Sequence, residues 1–196
     1  MSISGKVISL GITDVQKKMH RLAANFAEPK RAFRVAGNAV ANTLKTHFRK
    51  RNQEPNKEGW AKSGFWAQIR DSVQVLDEGS GVIVQINDPR FNLKYYGGTV
   101  TAKRGKALAI PLHEEYKGVL PSTFPRDKFF FLPSKDGENV GILAEALGDN
   151  KIRAAYLLRK STTHPPDPEA LPPLDALKKV ALDAMERFFT REVMKL

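Results

Sequence analysis

The sequence predicts an α+β fold in which helices flank a mainly antiparallel β-sheet, with the C-terminal helix packed on that sheet. Three observations carry the prediction. Apolar residues recur at helical spacing near both ends, at Phe33, Ala36, Val40, Leu44 and Phe48 and again at Leu174, Leu177, Ala181, Ala184 and Phe188. From Ser72 onwards the middle of the chain changes to short β-rich runs punctuated by glycine and proline. Five prolines between Thr162 and Pro173 then forbid a helix or central strand and separate the β-region from the last helix. The expected organisation is a helical region over 1–52, a β-rich core over 53–161, an extended connector over 162–173 and a helix over 174–196, all in one domain.

Taken in order, Lys6–Leu10 alternates weakly and makes at most one short strand. Thr13 or Asp14 can cap a helix bearing Val15, Met19, Leu22, Ala23 and Phe26, which Glu28-Pro29 breaks. Pro29 suits the first turn of the long helix that follows. Gly37 and several alanines on it leave room for another helix to approach. The polar loop NQEPNKEG leads to Trp60, Phe65 and Trp66, with Ile69 one turn beyond, and a brief helix over about 62–71 is expected to pack these aromatics on the core. Runs 72–77 and 81–87, joined through Gly79 and Gly81, read as a hairpin. Phe91–Leu112, FNLKYYGGTVTAKRGKALAIPL, is the stretch around which the rest is arranged. Tyr95 and Tyr96 pack before a Gly97-Gly98 turn, a basic loop of Lys103, Arg104 and Lys106 bends at Gly105, and Ala107–Leu112 forms an apolar strand that Pro111 marks as an edge or end. Strands are also expected at 128–132 and 154–160, and 139–147 reads as a strand or a short helix. The last helix, widened by Val180, Met185 and Phe189, is apolar on two sides. That marks Leu177, Ala181, Met185, Phe188 and Phe189 either as a subunit interface or as a broad contact within the chain.

With 41% hydrophobic and 27% charged residues among 196, the composition is that of an ordinary globular chain. No apolar run approaches the roughly 20 residues that a membrane helix needs. Met1–Leu10 is mixed and carries a glycine, so no secretory leader is expected. The absence of cysteine excludes disulfides, thiolate zinc sites and cysteine nucleophiles. The net charge is +11, and Met1–Glu58 alone holds 12 basic against 4 acidic residues. Such a face attracts polyanions through phosphate contacts, or meets an acidic protein partner. Lys45, Arg49, Lys50 and Arg51 on the long helix, with Lys103, Arg104 and Lys106 in the loop, are the candidate DNA-facing residues.

The segment YYGGTVTAKRGKALAIPL, preceded by the Pro-Gly-Trp loop EPNKEGW, resembles the tail-completion and virion-morphogenesis proteins of tailed bacteriophages, the group that includes the Mu G-like proteins. The matching positions are Tyr95, Tyr96, Gly97, Gly98, Lys103, Lys106 and Ala107–Leu112, with Glu54–Trp60 before them. The chain lacks the histidine often found in the family's tyrosine segment, and it reads HPPDPEALPPL where the family often has Arg-Pro-Phe. The resemblance implies a non-enzymatic minor tail or neck protein of the virion, assembled in the host cytoplasm. It would form a homo-oligomeric ring at the tail or head-to-tail junction and contact neck, tail-terminator or tail-tube proteins. Non-specific contact with genomic DNA along the lumen is a further expectation, and no cofactor or metal is implied.

The alternative is a basic nucleic-acid-binding protein or Mg-dependent nuclease. Asp88 and the Glu115-x-Lys117 triplet outline such a site, but Glu115 and Lys117 follow a strand rather than lie within one. His113-Glu114 lacks the second histidine of a helical zinc motif, because Lys117 stands there, and Gly98–Lys106 lacks the glycine spacing and hydroxyl of a phosphate-binding loop. His20, His47, His113 and His164 are scattered.

Overall fold

The computed structural model describes residues 29–55, 59–79, 81–103, 105–135, 137, 139–149 and 151–193. The strand expected at Lys6–Leu10 and the helix expected to carry Val15 to Phe26 lie outside the described residues. Among the described residues the helices are α1 (Pro29–Gln53), α2 (Phe65–Asp71), α3 (Pro89–Tyr96) and α4 (Leu174–Val193). The strands are β1 (Val73–Glu78), β2 (Gly81–Ile86), β3 (Gly98–Thr101), β4 (Leu108–Pro111), β5 (Phe130–Pro133), β6 (Asn139–Gly148), β7 (Lys151–Arg159) and β8 (Ser161–His164). Every pairing is antiparallel, so the α+β architecture holds. The strands form three sheets rather than one: β1-β2, β3-β8 and β4-β7-β6-β5.

The chain divides into two compact units where a single domain was expected. The first holds described residues 29–55, 62–96 and 166–193, and the second holds 59–61 and 97–165. The division cuts through the expected 53–161 core because the β1-β2 hairpin packs on α1 and shares its hydrophobic core.

In the first unit, Ala32, Ala36, Val40, Ala41, Leu44 and Phe48 of α1 are buried, so one stripe of this helix faces the core while Arg31, Arg34, Arg49 and Lys50 stay in water. Leu177, Ala181, Met185 and Phe189 of α4 enter the same core, as do Ile69, Val73 and Phe91. Gly37 serves the hairpin rather than a second helix. A Cβ there would stand 2.8 Å from Val82 Cγ2 and 3.1 Å from Val75 Cγ1, so glycine lets the hairpin settle onto α1. Phe48 centres the aromatic packing, stacked on Trp66 at 5.9 Å and edge-on to Phe91 at 5.8 Å. Trp60, expected with these aromatics, belongs to the other unit, where the Lys117 ammonium lies 5.9 Å from its ring centre.

In the second unit, β6 and β7 form the central pair of the four-stranded sheet. Between Leu143↔Tyr156 and Ala144↔Ala154 their register shifts, and the extra residue leaves Ala155 and Tyr156 both buried in one small core. Tyr116, Phe124 and Phe129 close over it, with Tyr116 and Tyr156 centroids 5.2 Å apart. The 139–147 segment is thus strand, its choice settled by pairing on both sides. Part of the proline-rich connector is strand too, since Ser161–His164 pairs with β3 before the first proline.

Candidate functional site

The stretch singled out in the sequence begins within an unexpected helix, which ends at the expected Gly97-Gly98 turn. Asp88 accepts a hydrogen bond from the Arg90 amide at Oδ1 (2.9 Å), and its carbonyl accepts one from Phe91 (3.0 Å), while Pro89 fixes the first turn of α3. The Arg90 side chain also holds Asp88 below the usual carboxylate range. Phe91 is buried against Tyr95, whereas Tyr96 is 55% exposed. Gly97, at φ +71°, ends the helix in the left-handed conformation that a side chain would resist. The rest of the segment runs through β3, across the basic loop and into β4. Lys103 and Lys106 are exposed in that loop, and Arg104 lies outside the described residues.

On α1, Arg49 and Lys50 are exposed and Lys45 is half-buried. Arg51, a DNA-facing candidate by its charge, is instead held within the structure. Its side chain is 17% exposed, pairs with Asp167 at 2.7 Å and Glu54 at 3.0 Å, and lies 5.0 Å from the Trp66 ring centre. Burial raises the Asp167 pKa, but the hydrogen bond from Lys94 and the charges of Lys94 and Arg51 outweigh it, so the carboxylate stays below its ordinary value. Of the two readings of the α4 stripe, the structure holds the contact within the chain. Leu177, Ala181, Met185 and Phe189 are buried within the chain and Phe188 packs against the same core, because the matching stripe of α1 covers them. That surface is already occupied.

Sequence reasoning missed a polar network in the second unit. Glu145 is 1% exposed on β6, an inward carboxylate in an otherwise apolar run. Its Oε1 accepts hydrogen bonds from the Tyr116 hydroxyl (2.5 Å) and Arg153 Nε (2.7 Å), and Lys128 Nζ stands 2.6 Å from Oε2 in an ion pair outside aligned hydrogen-bond geometry. Arg153 also donates to the Tyr116 hydroxyl (3.0 Å) and pairs with Glu115 (2.5 Å). Burial alone would push Glu145 up, but Lys128, Tyr116 and Arg153 together bring it down to about 2. Burial, reinforced by the bond to Glu145, pushes Tyr116 up to about 12. The signal available in the sequence was Glu145 itself, alternating inward with Leu143.

This network also bears on the nuclease outline. Glu115 is tied to Arg153, Lys117 donates to the Ala61 carbonyl, and Asp88 caps a helix of the first unit. Among the described residues no group of three or more His, Asp or Glu side chains gathers as metal ligands would.

Opposite the network, the four-stranded sheet presents a mainly apolar face, with Arg159, hydrogen-bonded to Asn139, at one end. Leu132, Ile142, Leu157 and Ile110 form one row across all four strands. Phe130, Ala144, Ala154, Ala146 and Ile152 follow by alternation, with Phe130 39% and Ile152 61% exposed. The two edge strands, β4 and β5, are four residues long and each ends in proline, which discourages further strand pairing.

Comparison of the chain with protein-family models, with curated proteins and with solved structures gives no match. Among the described residues no helix is long and apolar enough to cross a membrane.

Proposed function

We propose that the protein is a non-enzymatic assembly component of a tailed-phage virion, at the tail or the head-to-tail junction, working as a homo-oligomeric ring that contacts neck and tail proteins along the DNA path. The apolar face of the four-stranded sheet carries this reading. It exposes Phe130 and Ile152 beside a row of half-buried Leu and Ile, with Arg159 only at the far end beyond Leu157, whereas a free surface ordinarily keeps such patches small. Proline-ended edges leave the face, rather than the strand edges, as the surface for a neighbouring subunit. The likeness of YYGGTVTAKRGKALAIPL to tail-completion proteins supplies the kind of assembly.

Light scattering tests it. A defined oligomeric mass is expected for the purified chain, alone or with a tail or neck fraction, and Ile152→Lys should return it to monomer while Leu182→Lys on α4 leaves the oligomer intact. A monomer under all these conditions would refute the assembly reading, and Mg-dependent nicking of plasmid DNA that Glu115→Ala abolishes would put the nuclease in its place.

A further inference from the structure

The β3-β8 ribbon joins two parts of the chain that share one property. No Asp or Glu occurs between Asp88 and Glu114, or between Asp149 and Asp167, and pairing of Gly98–Thr101 with Ser161–His164 lays these acid-free stretches side by side. The register sets Thr99 opposite Thr163 and Thr101 opposite Ser161, so four hydroxyl side chains share one face. All four are exposed, and the Thr99 and Thr163 hydroxyl oxygens stand 2.9 Å apart. The alternate positions Val100 and Thr162 are half-buried, which leaves the hydroxyl face to solvent.

One end of this ribbon is cationic. The Ala102 amide donates to the Lys160 carbonyl at 3.5 Å, which brings Lys160 alongside the start of the basic loop. Lys103, Lys106 and Lys160 are exposed, and none of the ion pairs among the described residues engages them.

We infer that the hydroxyl face of the β3-β8 ribbon, with Lys103, Lys106 and Lys160 at its end, is a contact surface for the sugar-phosphate backbone of a nucleic acid. Hydroxyls and lysines are the groups that bind phosphate oxygens without reading bases, and a two-stranded ribbon is narrow enough to lie along a duplex groove. Charge complementarity selects the ligand: the lysines supply long-range attraction to the phosphates, and the threonines and serine supply short, neutral hydrogen-bond donors. The inference deepens the assembly reading by naming the surface that would face the genome.

The test is binding of a 20-base-pair duplex to the full chain across a range of salt, read as log K against log salt. Changing Lys103, Lys106 and Lys160 together to Ala should reduce the slope by roughly 2–3, because each phosphate contact contributes about 0.9. Thr99→Val with Thr163→Val keeps the β-branched shape and should weaken binding by about tenfold at constant slope, since a lost neutral hydrogen bond releases no counterion. Lys151→Ala, at the opposite end of β7 from Lys160, should leave both quantities unchanged. Circular dichroism identifies any variant that fails to fold, and the valine pair tests the surface independently of the lysine triple. An unchanged slope in the folded triple variant, an unchanged affinity in the valine pair, or binding of polyglutamate as tight as that of the duplex would overturn the inference. Since oligomeric mass is measured separately, a ring whose ribbon ignores DNA refutes this surface alone, whereas a monomer refutes the assembly reading.

Discussion

The two units of this chain are held together by different physics. The first buries a continuous apolar core contributed by α1, α2, α3, α4 and the β1-β2 hairpin, with Phe48 fully enclosed among aromatic rings. Among the described residues the second has only Tyr116, Ala155 and Tyr156 at the centre of its core and places a buried carboxylate against it, held by Tyr116, Arg153 and Lys128. A core of the first kind depends on volume and is almost indifferent to pH. One of the second kind depends on charge being present and paired. The contrast teaches that α1, the most basic helix, is anchored by its apolar stripe, whereas the smaller unit relies on specific polar contacts to fix Tyr116 and its loop.

The two tryptophans allow the contrast to be broken one side at a time, because Trp66 lies in the first unit and Trp60 in the second. With Trp60→Phe as background, Phe48→Ala should cost about 3–5 kcal/mol in urea unfolding followed by Trp66 emission, through the cavity it leaves. A loss below about 1 kcal/mol would mean that the core collapses around the change. With Trp66→Phe as background, Arg153→Met should cost about 3 kcal/mol by Trp60 emission, since it removes a partner from the buried Glu145. Equal stability in that variant would show that Lys128 and Tyr116 suffice.

The pH dependence sharpens the same difference. Glu145 is depressed to about 2 from 4.5, so its contribution is complete above about 4.5 and is lost as pH falls towards 2. Tyr116 is raised to about 12 from 10.0, so its contribution is complete below about 10 and is lost as pH rises towards 12. Asp88 and Asp167 give the first unit an acid limb of its own. The alkaline limb should therefore be stronger in Trp60 than in Trp66 emission, and identical alkaline profiles would contradict this account. The smallest effect expected is that of Gly37→Ala, about 1–2 kcal/mol, because Val82 Cγ2 has to give way on a packed hairpin. A stabilised variant would show that the hairpin shifts without penalty.

Much of the fold was legible from local pattern. The stripe on α1, the β1-β2 hairpin, the proline-marked edge at Pro111 and the C-terminal helix all follow from spacing and from the conformations of Gly and Pro. Helix α3 was legible too, through Asp88-Pro89 at its start and Gly97 at its end, but the tyrosine pair before two glycines favoured a turn. Of the candidate site, the exposure of Lys103, Lys106, Arg49 and Lys50 agrees with their charge, whereas Arg51 could not be separated from its neighbours by type alone.

What the sequence by itself determined is most of the elements and their polarity, because helical and strand periodicities are local and each residue's chemistry chooses the side it shows. Tertiary structure alone decided which surfaces remained free. The α4 stripe was consumed by α1, Arg51 was claimed by Asp167 across more than a hundred residues of chain, and the division into two units followed from where the hairpin packed. Burial and ion pairing are properties of pairs of distant segments, so no single segment carries their record. Glu145 makes the point most directly: its position on the strand was readable, but the three partners that keep it charged inside the protein were not.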